Sequence, residues 1–309
     1  MRALVLGHGS IGKRHARVLA EQLGLDVEVV TQMAECVYPN YESLFAAGDL
    51  HRFDYFVIAT ESNRHYQNLL DLDSMVQDRI ILVEKPLFFQ ETEFSSERNK
   101  IFVGYNLRFH PALQKTQELL KEKTPIAVNV HVGEYLPWWR PGTDYRTCYS
   151  AKRNEGGGVV FDISHEIDYI QWLFGAMVKL VSSTRRVSGL EIDSDDYSAV
   201  LAMTDRKVAI NLSMDYLSML PVRSMLVNTR DASLLLDLEH GQLTYCDENH
   251  NQQSWDFSVT ERDYTYREMH RAILERNGGE ACTLTDGLKA MLTIQNIYAN
   301  NLKEQWGEA

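Results

Sequence analysis

The chain changes its hydrophobic grammar about a third of the way along. In the first part, short, mostly apolar runs alternate with stretches of helical spacing. Ala3-Leu4-Val5-Leu6, Val27-Glu28-Val29-Val30, Tyr55-Phe56-Val57-Ile58-Ala59, Ile80-Ile81-Leu82-Val83 and Ile101-Phe102-Val103 each have the length of a buried strand. Ile11, Ala16, Val18, Leu19 and Leu23 fall on helical spacing, and His65 to Leu72 predicts a second helix. Apolar strands joined by helices imply a parallel sheet covered on both faces. That is the doubly wound arrangement of nucleotide-binding domains.

Beyond residue 125 the pattern alternates. Ile126, Val128, Val130 and Val132 sit at every second position, and further strands are predicted at Tyr197–Met203, Val208–Met214, Val222–Val227, Leu234–Leu238 and Leu243–Tyr245. Thr204-Asp205-Arg206 and His240-Gly241 read as hairpin turns. Helices are expected over Pro111–Lys123, Asp162–Leu173, Tyr266–Glu275 and Asp286–Asn300. The fold class expected is therefore α/β: a Rossmann-type dinucleotide-binding domain over 1–108, and a domain over 109–309 with a large, mainly antiparallel open sheet packed on helices.

Composition narrows the function. A length of 309 residues suits two domains, and 44% hydrophobic with 24% charged residues is enough apolar material for sizeable cores. The net charge of -12 repels nucleic acid phosphates and anionic lipid, so neither a nucleic acid nor a membrane is an expected partner. No apolar run approaches the ~18 residues needed to span a bilayer, and no charged-then-apolar leader precedes the strand that begins at Arg2. Cys36, Cys148, Cys246 and Cys282 lie far apart with no C-x-x-C pair, as expected for thiols in a reducing cytoplasm.

Gly7-His8-Gly9-Ser10-Ile11-Gly12 matches G-x-G-x-x-G. A strand leads in and a helix leads out, which is the setting the motif requires. Gly7 permits the tight turn, Gly9 lets backbone approach a pyrophosphate, and Gly12 allows close helix–strand packing. The N–H groups at the helix start, from Ser10 and Ile11 onward, face an anion there. A site for NAD usually ends its second strand in Asp or Glu. Here the strand runs into Thr31-Gln32, with Glu28 inside it, while Lys13 and Arg14 follow the turn. Without a carboxylate to repel a 2'-phosphate, the pattern leans towards NADP over NAD.

Three further stretches carry chemistry. Glu84-Lys85-Pro86 follows the fourth strand, Gly104-Tyr105-Asn106-Leu107-Arg108-Phe109-His110-Pro111 follows the fifth, and Gly156-Gly157-Gly158-Val159-Val160-Phe161-Asp162 opens a helix containing His165 and Asp168. Ala59-Thr60, Asn63 and His65 form a loop after the third strand. In this order after a glycine turn, these motifs resemble the Gfo/Idh/MocA family of NAD(P)-dependent sugar and polyol oxidoreductases over essentially the whole chain. The resemblance implies a Rossmann domain followed by an α/β domain whose open sheet backs the active site and forms homodimer or homotetramer contacts. It implies that Lys85 is the active-site lysine, and that Asp162 and His165 are the carboxylate and imidazole facing the substrate. Thr60, Asn63, His65 and Glu84 join Thr31, Arg14 and the turn in the implied cofactor set. Asn106 and Arg108 belong to the implied substrate set. One departure stands out: His165 follows Asp162 by three residues, where the family commonly places it four on.

Oxidising a carbinol needs a hydride acceptor and a base for the hydroxyl proton. Histidine titrates near neutrality, and an ammonium stabilises a developing alkoxide. The roles expected are acid/base for His165, electrostatic stabilisation or proton donation for Lys85, and orientation for Asp162. Positions i and i+3 share a helix face, so one ligand is within reach of both Asp162 and His165. Glu166 points elsewhere and no second histidine cluster follows, so no metal is expected. Trp139, Arg140, Tyr145 and Arg146 lie in an aromatic stretch ahead of the glycine run. Aromatic faces suit sugar C–H surfaces and arginine suits carboxylate or phosphate, so the substrate expected is an anionic or nucleotide-linked sugar. A non-catalytic dinucleotide sensor and a structural dimer module are the alternatives, and neither needs a proton-transfer group at residues 85, 162 and 165.

Overall fold

The computed structural model describes residues 1–90, 92–275 and 278–302. The chain forms two compact units. One comprises Met1–Phe109 and Glu261–Met291, and the other His110–Thr260 and Leu292–Ala309. Sequence pattern draws a single boundary at 108/109; the chain leaves the first unit there but returns to it for residues 261–291. Alternation and turn chemistry mark where a grammar changes, and they carry no sign that a later helix rejoins an earlier sheet.

The first unit is built on a seven-stranded sheet. Its strands are β1 (Arg2–Leu6), β2 (Asp26–Val30), β3 (Asn40–Tyr41), β4 (Tyr55–Ile58), β5 (Ile80–Val83), β6 (Lys100–Val103) and, much later in the chain, β15 (Cys282–Thr283). The order is β15-β6-β5-β4-β1-β2-β3, parallel throughout except for β15. The order reverses at β1, beside which a ligand crevice is expected at the carboxyl ends of the strands. β4 is buried at every position and β1 at all but its first, which is why these strands read as unbroken apolar runs. Helices α1 (Ser10–Arg17), α2 (His65–Met75) and α6 (Tyr264–Glu275) belong to this unit. Val18–Gln22 continues α1 as a π-helical turn, so the expected helix to Leu23 is present but not uniform. One core cluster joins Val5, Ala16, Leu19, Val29 and Val57 to Met269, Ala272 and Ile273 of α6.

The second unit carries an eight-stranded sheet in the order β14-β13-β12-β11-β7-β10-β9-β8. The strands are β7 (Pro125–Gly133), β8 (Met177–Arg185), β9 (Tyr197–Thr204), β10 (Ala209–Asp215), β11 (Val222–Thr229), β12 (Ala232–Asp237), β13 (Gln242–Asp247) and β14 (Gln252–Asp256). All neighbours are antiparallel except β7 and β10. Both expected hairpins form, β9–β10 and β12–β13, the second turning through Gly241 at φ +66°. Helices α3 (Pro111–Leu120), α4 (Val159–Asp162) and α5 (Ser164–Phe174) belong here, α3 packing on β12 and β13 and α4 on β9 and β10. The last helix, α7 (Leu284–Ala299), begins in the first unit and ends in the second. Among the described residues no helix is long and apolar enough to cross a membrane.

One local expectation is corrected. Spacing predicts a single helix through Asp162 and His165, with both on one face. The helix breaks between them at Ile163 (φ −97°, ψ 30°), so Asp162 ends α4 and His165 is the second residue of α5. Helical periodicity therefore does not relate the two side chains.

Candidate functional site

Packing explains two glycines of the first turn and leaves the third to be explained from outside. Gly7 sits at φ +96°, and a Cβ there would stand 2.5 Å from the Ala59 carbonyl oxygen. A Cβ at Gly12 would stand 2.1 Å from the carbonyl oxygen of Gly7. At Gly9 a Cβ would meet nothing within 4 Å. Gly9 thus keeps an open backbone surface where α1 begins. No side chain caps that helix start, and its first turn holds no acidic residue. Unpaired N–H groups beside bare backbone form a cradle that fits a diphosphate.

From this turn a cleft of about 750 Å³ extends within the first unit. It is lined by His8, Ser10, Lys13, Arg14, Arg17 and Arg262, with Glu21, Glu35 and Tyr38 also on its wall. Arg14 and Arg17 share Asp263, whereas Lys13 and Arg262 have no ion pair among the described residues. The end of β2 offers no carboxylate to the cleft. Thr31 is buried, and its hydroxyl accepts the Met33 amide at 3.0 Å. Glu28 is clamped by both terminal nitrogens of Arg52 at 2.6 Å and by the Tyr41 hydroxyl at 2.6 Å.

Lys85 stands just past the end of β5, half-buried, at a cis peptide to Pro86. Its neighbour Glu84 is buried and points inward. Its Oε1 lies 2.8 Å from His15 Nε2, and its Oε2 accepts the Lys85 amide at 3.0 Å. Burial raises the Glu84 pKa, but its bond to His15 and the nearby Lys85 charge outweigh that, and the net shift is downward. His65 is likewise an internal clamp: Nδ1 lies 3.0 Å from the Pro86 carbonyl and Nε2 3.1 Å from that of Thr60. The Thr60 hydroxyl accepts from Asn68 at 2.8 Å, and Asn63 is exposed on the following turn. The structure thus brings Gly9 and Ser10 to the open turn and Arg14 to the cleft. Glu84, His65 and Thr31 it engages with other protein groups. Asn106 and Arg108 are buried as well, the first donating to Thr265 at 2.6 Å and the second to Asp286 at 3.4 Å.

In the second unit the glycine run leads into a cluster of polar and aromatic side chains around Asp162. A Cβ at Gly157 would meet the Tyr149 carbonyl oxygen at 2.2 Å, and one at Gly158 would meet the Asp195 carboxylate at 2.8 Å. Gly158, at φ +125°, turns the chain into α4. Asp162 then receives the Tyr216 hydroxyl at 2.6 Å. Burial, and after it the Asp162 charge, raises the pKa of both Tyr216 and Tyr149, so both phenols stay protonated. Trp139 stacks edge-on against Tyr216 at 5.0 Å, and Arg140 lies 5.2 Å from the centre of the Tyr149 ring. Trp139 and Arg140 are therefore gathered around Asp162. Arg146 is exposed and bound to Asp144 and Glu191, and the Tyr145 hydroxyl accepts the Glu191 amide at 3.2 Å. His165 is half-buried at the start of α5. Tyr149 and Tyr216 escaped the sequence pattern, since no spacing links residues so far apart. Among the described residues no three His, Cys, Asp or Glu side chains are grouped to hold a metal.

A doubly wound unit with a glycine turn, and a second unit built on an open, mainly antiparallel sheet, define a two-part α/β architecture. Residues 114–234, in the second unit, match the GFO/IDH/MocA C-terminal domain. An uncharacterized oxidoreductase of Synechocystis, sll0816, is 25% identical over 154 residues, which span 47% of this chain and 40% of that protein. The fold is shared along nearly its full length with solved structures. UDP-N-acetylglucosamine 3-dehydrogenase GnnA from Acidithiobacillus ferrooxidans matches with a TM-score of 0.77 at 18% identity, covering 97% of each chain. The WlbA dehydrogenase from Bordetella pertussis, in complex with NADH and UDP-GlcNAcA, matches with 0.74 at 17% identity, covering 97% of this chain and 95% of that one. Levoglucosan dehydrogenase, in complex with NADH, matches with 0.81 at 13% identity, covering 99% and 98%.

Proposed function

We propose that the protein binds NAD(P) at the glycine turn and transfers a hydride to or from a carbinol or carbonyl carbon of a sugar derivative. The observation that carries this is Gly9: an open backbone position in a turn whose other glycines are required by packing. A bound nicotinamide supplies the hydride acceptor or donor. Lys85, at the carboxyl end of β5, holds a positive charge for the substrate oxygen as it becomes an alkoxide. His165 moves the hydroxyl proton, and Asp162, held by Tyr216, orients the substrate for that transfer. Lys85 belongs to the first unit, and Asp162 and His165 belong to the second.

Two finer readings follow. The cleft beside Lys13 and Arg262, with Glu28 neutralised by Arg52 and no carboxylate at the end of β2, favours a 2'-phosphate, hence NADP. Arg140 and Trp139 beside Asp162 favour an anionic or nucleotide-linked sugar. Relatives named as a UDP-N-acetylglucosamine dehydrogenase and as a complex with UDP-GlcNAcA support that class. Titration with NADPH and NADH, followed by nicotinamide absorbance across sugar acids and nucleotide sugars, tests each layer. NADPH is expected to bind at least about tenfold tighter, the worth of one charge-assisted contact, and Lys13→Ala with Arg262→Ala to erase the difference. Equal affinities would remove the NADP preference, and binding of neither dinucleotide would remove the whole proposal.

A further inference from the structure

Beneath the glycine turn lies a line of four buried polar side chains that the hydride-transfer chemistry does not use. Glu84 Oε1 is 2.8 Å from His15 Nε2. His15 Nδ1 is 2.8 Å from His270 Nε2, across 255 positions of sequence. His270 Nδ1 is 2.8 Å from the Tyr55 hydroxyl. His15, His270 and Tyr55 have no solvent exposure, and Glu84 has 5%. All four belong to the first unit. Tyr55 opens β4 and Glu84 follows β5, so the line runs beside about 13 Å of strand at ~3.3 Å per residue.

Hydrogen-bond accounting gives the line a direction. Buried donors must find acceptors, and the phenol of Tyr55 has His270 as its partner. Tyr55 O–H therefore donates to His270 Nδ1, His270 Nε2–H to His15 Nδ1, and His15 Nε2–H to Glu84. The reverse order would leave the phenol proton without an acceptor and set an imidazole lone pair against the carboxylate. The line thus ends on the Glu84 carboxylate, whose other oxygen accepts the Lys85 amide. Space for that carboxylate is reserved by Gly104, where a Cβ would stand 2.6 Å from Oε1. On the far side of Lys85, His65 holds the Pro86 carbonyl.

We propose that Tyr55, His270 and His15 are positioning residues that act through Glu84 to fix the Lys85 peptide. Because His15 lies on α1, the helix leaving the glycine turn, the same line sets the lysine's place relative to the dinucleotide cradle. This rests on the assignment of Lys85 as the residue facing the reacting oxygen.

The test compares two replacements at one position. Glutamine's Nε2–H can stand where the imidazole Nε2–H stood, whereas leucine offers no donor. His15→Leu is expected to speed hydrogen exchange of the Lys85 amide about tenfold or more while the amides of β5 keep their protection, and His15→Gln to leave it near wild type. Turnover should follow, with kcat falling about thirtyfold for His15→Leu and NADPH affinity within about threefold, because a misplaced group costs rate more than binding. Unchanged exchange at Lys85 in His15→Leu, or equal losses in both variants, overturns the proposal. Should His15→Leu fail to fold, the pair His270→Leu and His270→Gln asks the same question one link further out, with about a threefold exchange difference expected and none overturning it. Exchange decides the positioning role, and wild-type turnover decides the oxidoreductase reading, so the two fail separately.

Discussion

At the scale of single residues, the charge on Lys85 and the neutrality of several histidines give opposite kinds of test. Lys85→Ala removes the ammonium and leaves the residues of the glycine turn unchanged. Its kcat is expected to fall about a thousandfold with NADPH affinity within about threefold. Stopped-flow turnover with dinucleotide titration checks it, and a kcat near wild type would reassign the lysine. His110 bears on stability instead. It caps α3 by accepting the Ala112 amide at 3.2 Å, and burial, followed by the Arg223 charge, pulls its pKa down to about 4. His65 and His270 are shifted in the same direction by burial. A base with a depressed folded pKa is protonated more readily in the unfolded chain. Its stabilising contribution is full above pH 6.5 and is lost as pH falls towards 4. For His110 alone that loss is on the order of 3 kcal/mol. His110→Asn keeps a capping acceptor and removes the titration. Its melting temperature should therefore fall less steeply than that of wild type between pH 6.5 and 4, and parallel curves would show that His110 is not the group responsible.

At the scale of elements, the glycine turn separates folding from binding. Gly12→Ala places a methyl 2.1 Å from a backbone oxygen, so α1 must move away from β1 and stability should fall by about 2 kcal/mol or more. Gly9→Ala meets nothing within 4 Å, so melting should be unchanged while dinucleotide affinity drops about tenfold or more, because the methyl occupies the approach to the diphosphate. Thermal melts and titrations of both variants check this, and loss of stability in Gly9→Ala would make that glycine structural as well. The same turn shows what a sequence makes legible. Its motif, strand and helix are contiguous, so local rules suffice. The central strands were equally plain because both faces are apolar. β3 escaped notice at two residues, and β8 and β14 escaped because they lie at the edges of the second sheet. Gln252-Gln253-Ser254-Trp255-Asp256 has no alternating apolar face to read. The break at Ile163 was hidden because nothing in Asp162-Ile163-Ser164-His165 forbids a helix. His15, Tyr55 and His270 were hidden for another reason: their contacts join three elements far apart in sequence.

At the scale of the whole molecule, the second sheet presents a row of exposed side chains that no described residue of its own unit covers. Register aligns Val181, Leu201, Asn211, Asn129, Leu226 and Leu235 in one row from β8 to β12. Four of the six are apolar, with exposures of 44% at Val181, 59% at Leu201, 36% at Leu226 and 51% at Leu235. The row turns polar beyond them, at Thr244 and Ser254. Opposite faces of the same strands are buried at Val128, Val200, Leu212, Met225 and Leu236, so the alternation is that of a sheet with one face on its core. Isolated exposed leucines need no explanation, but four exposed aliphatic side chains in one row of a sheet face do. We propose that a second copy of this chain covers it, the paired Asn129 and Asn211 side chains at its centre meeting polar groups across the contact. Leu201→Glu with Leu226→Glu would bury carboxylates at that contact and cost the isolated chain little, since both side chains already face solvent. Sedimentation is therefore expected to give a dimer or tetramer for the wild type and a monomer for the double variant, with little change in melting of the monomeric unit. A wild-type monomer, or a double variant of unchanged mass, would leave this face without a partner of its own kind.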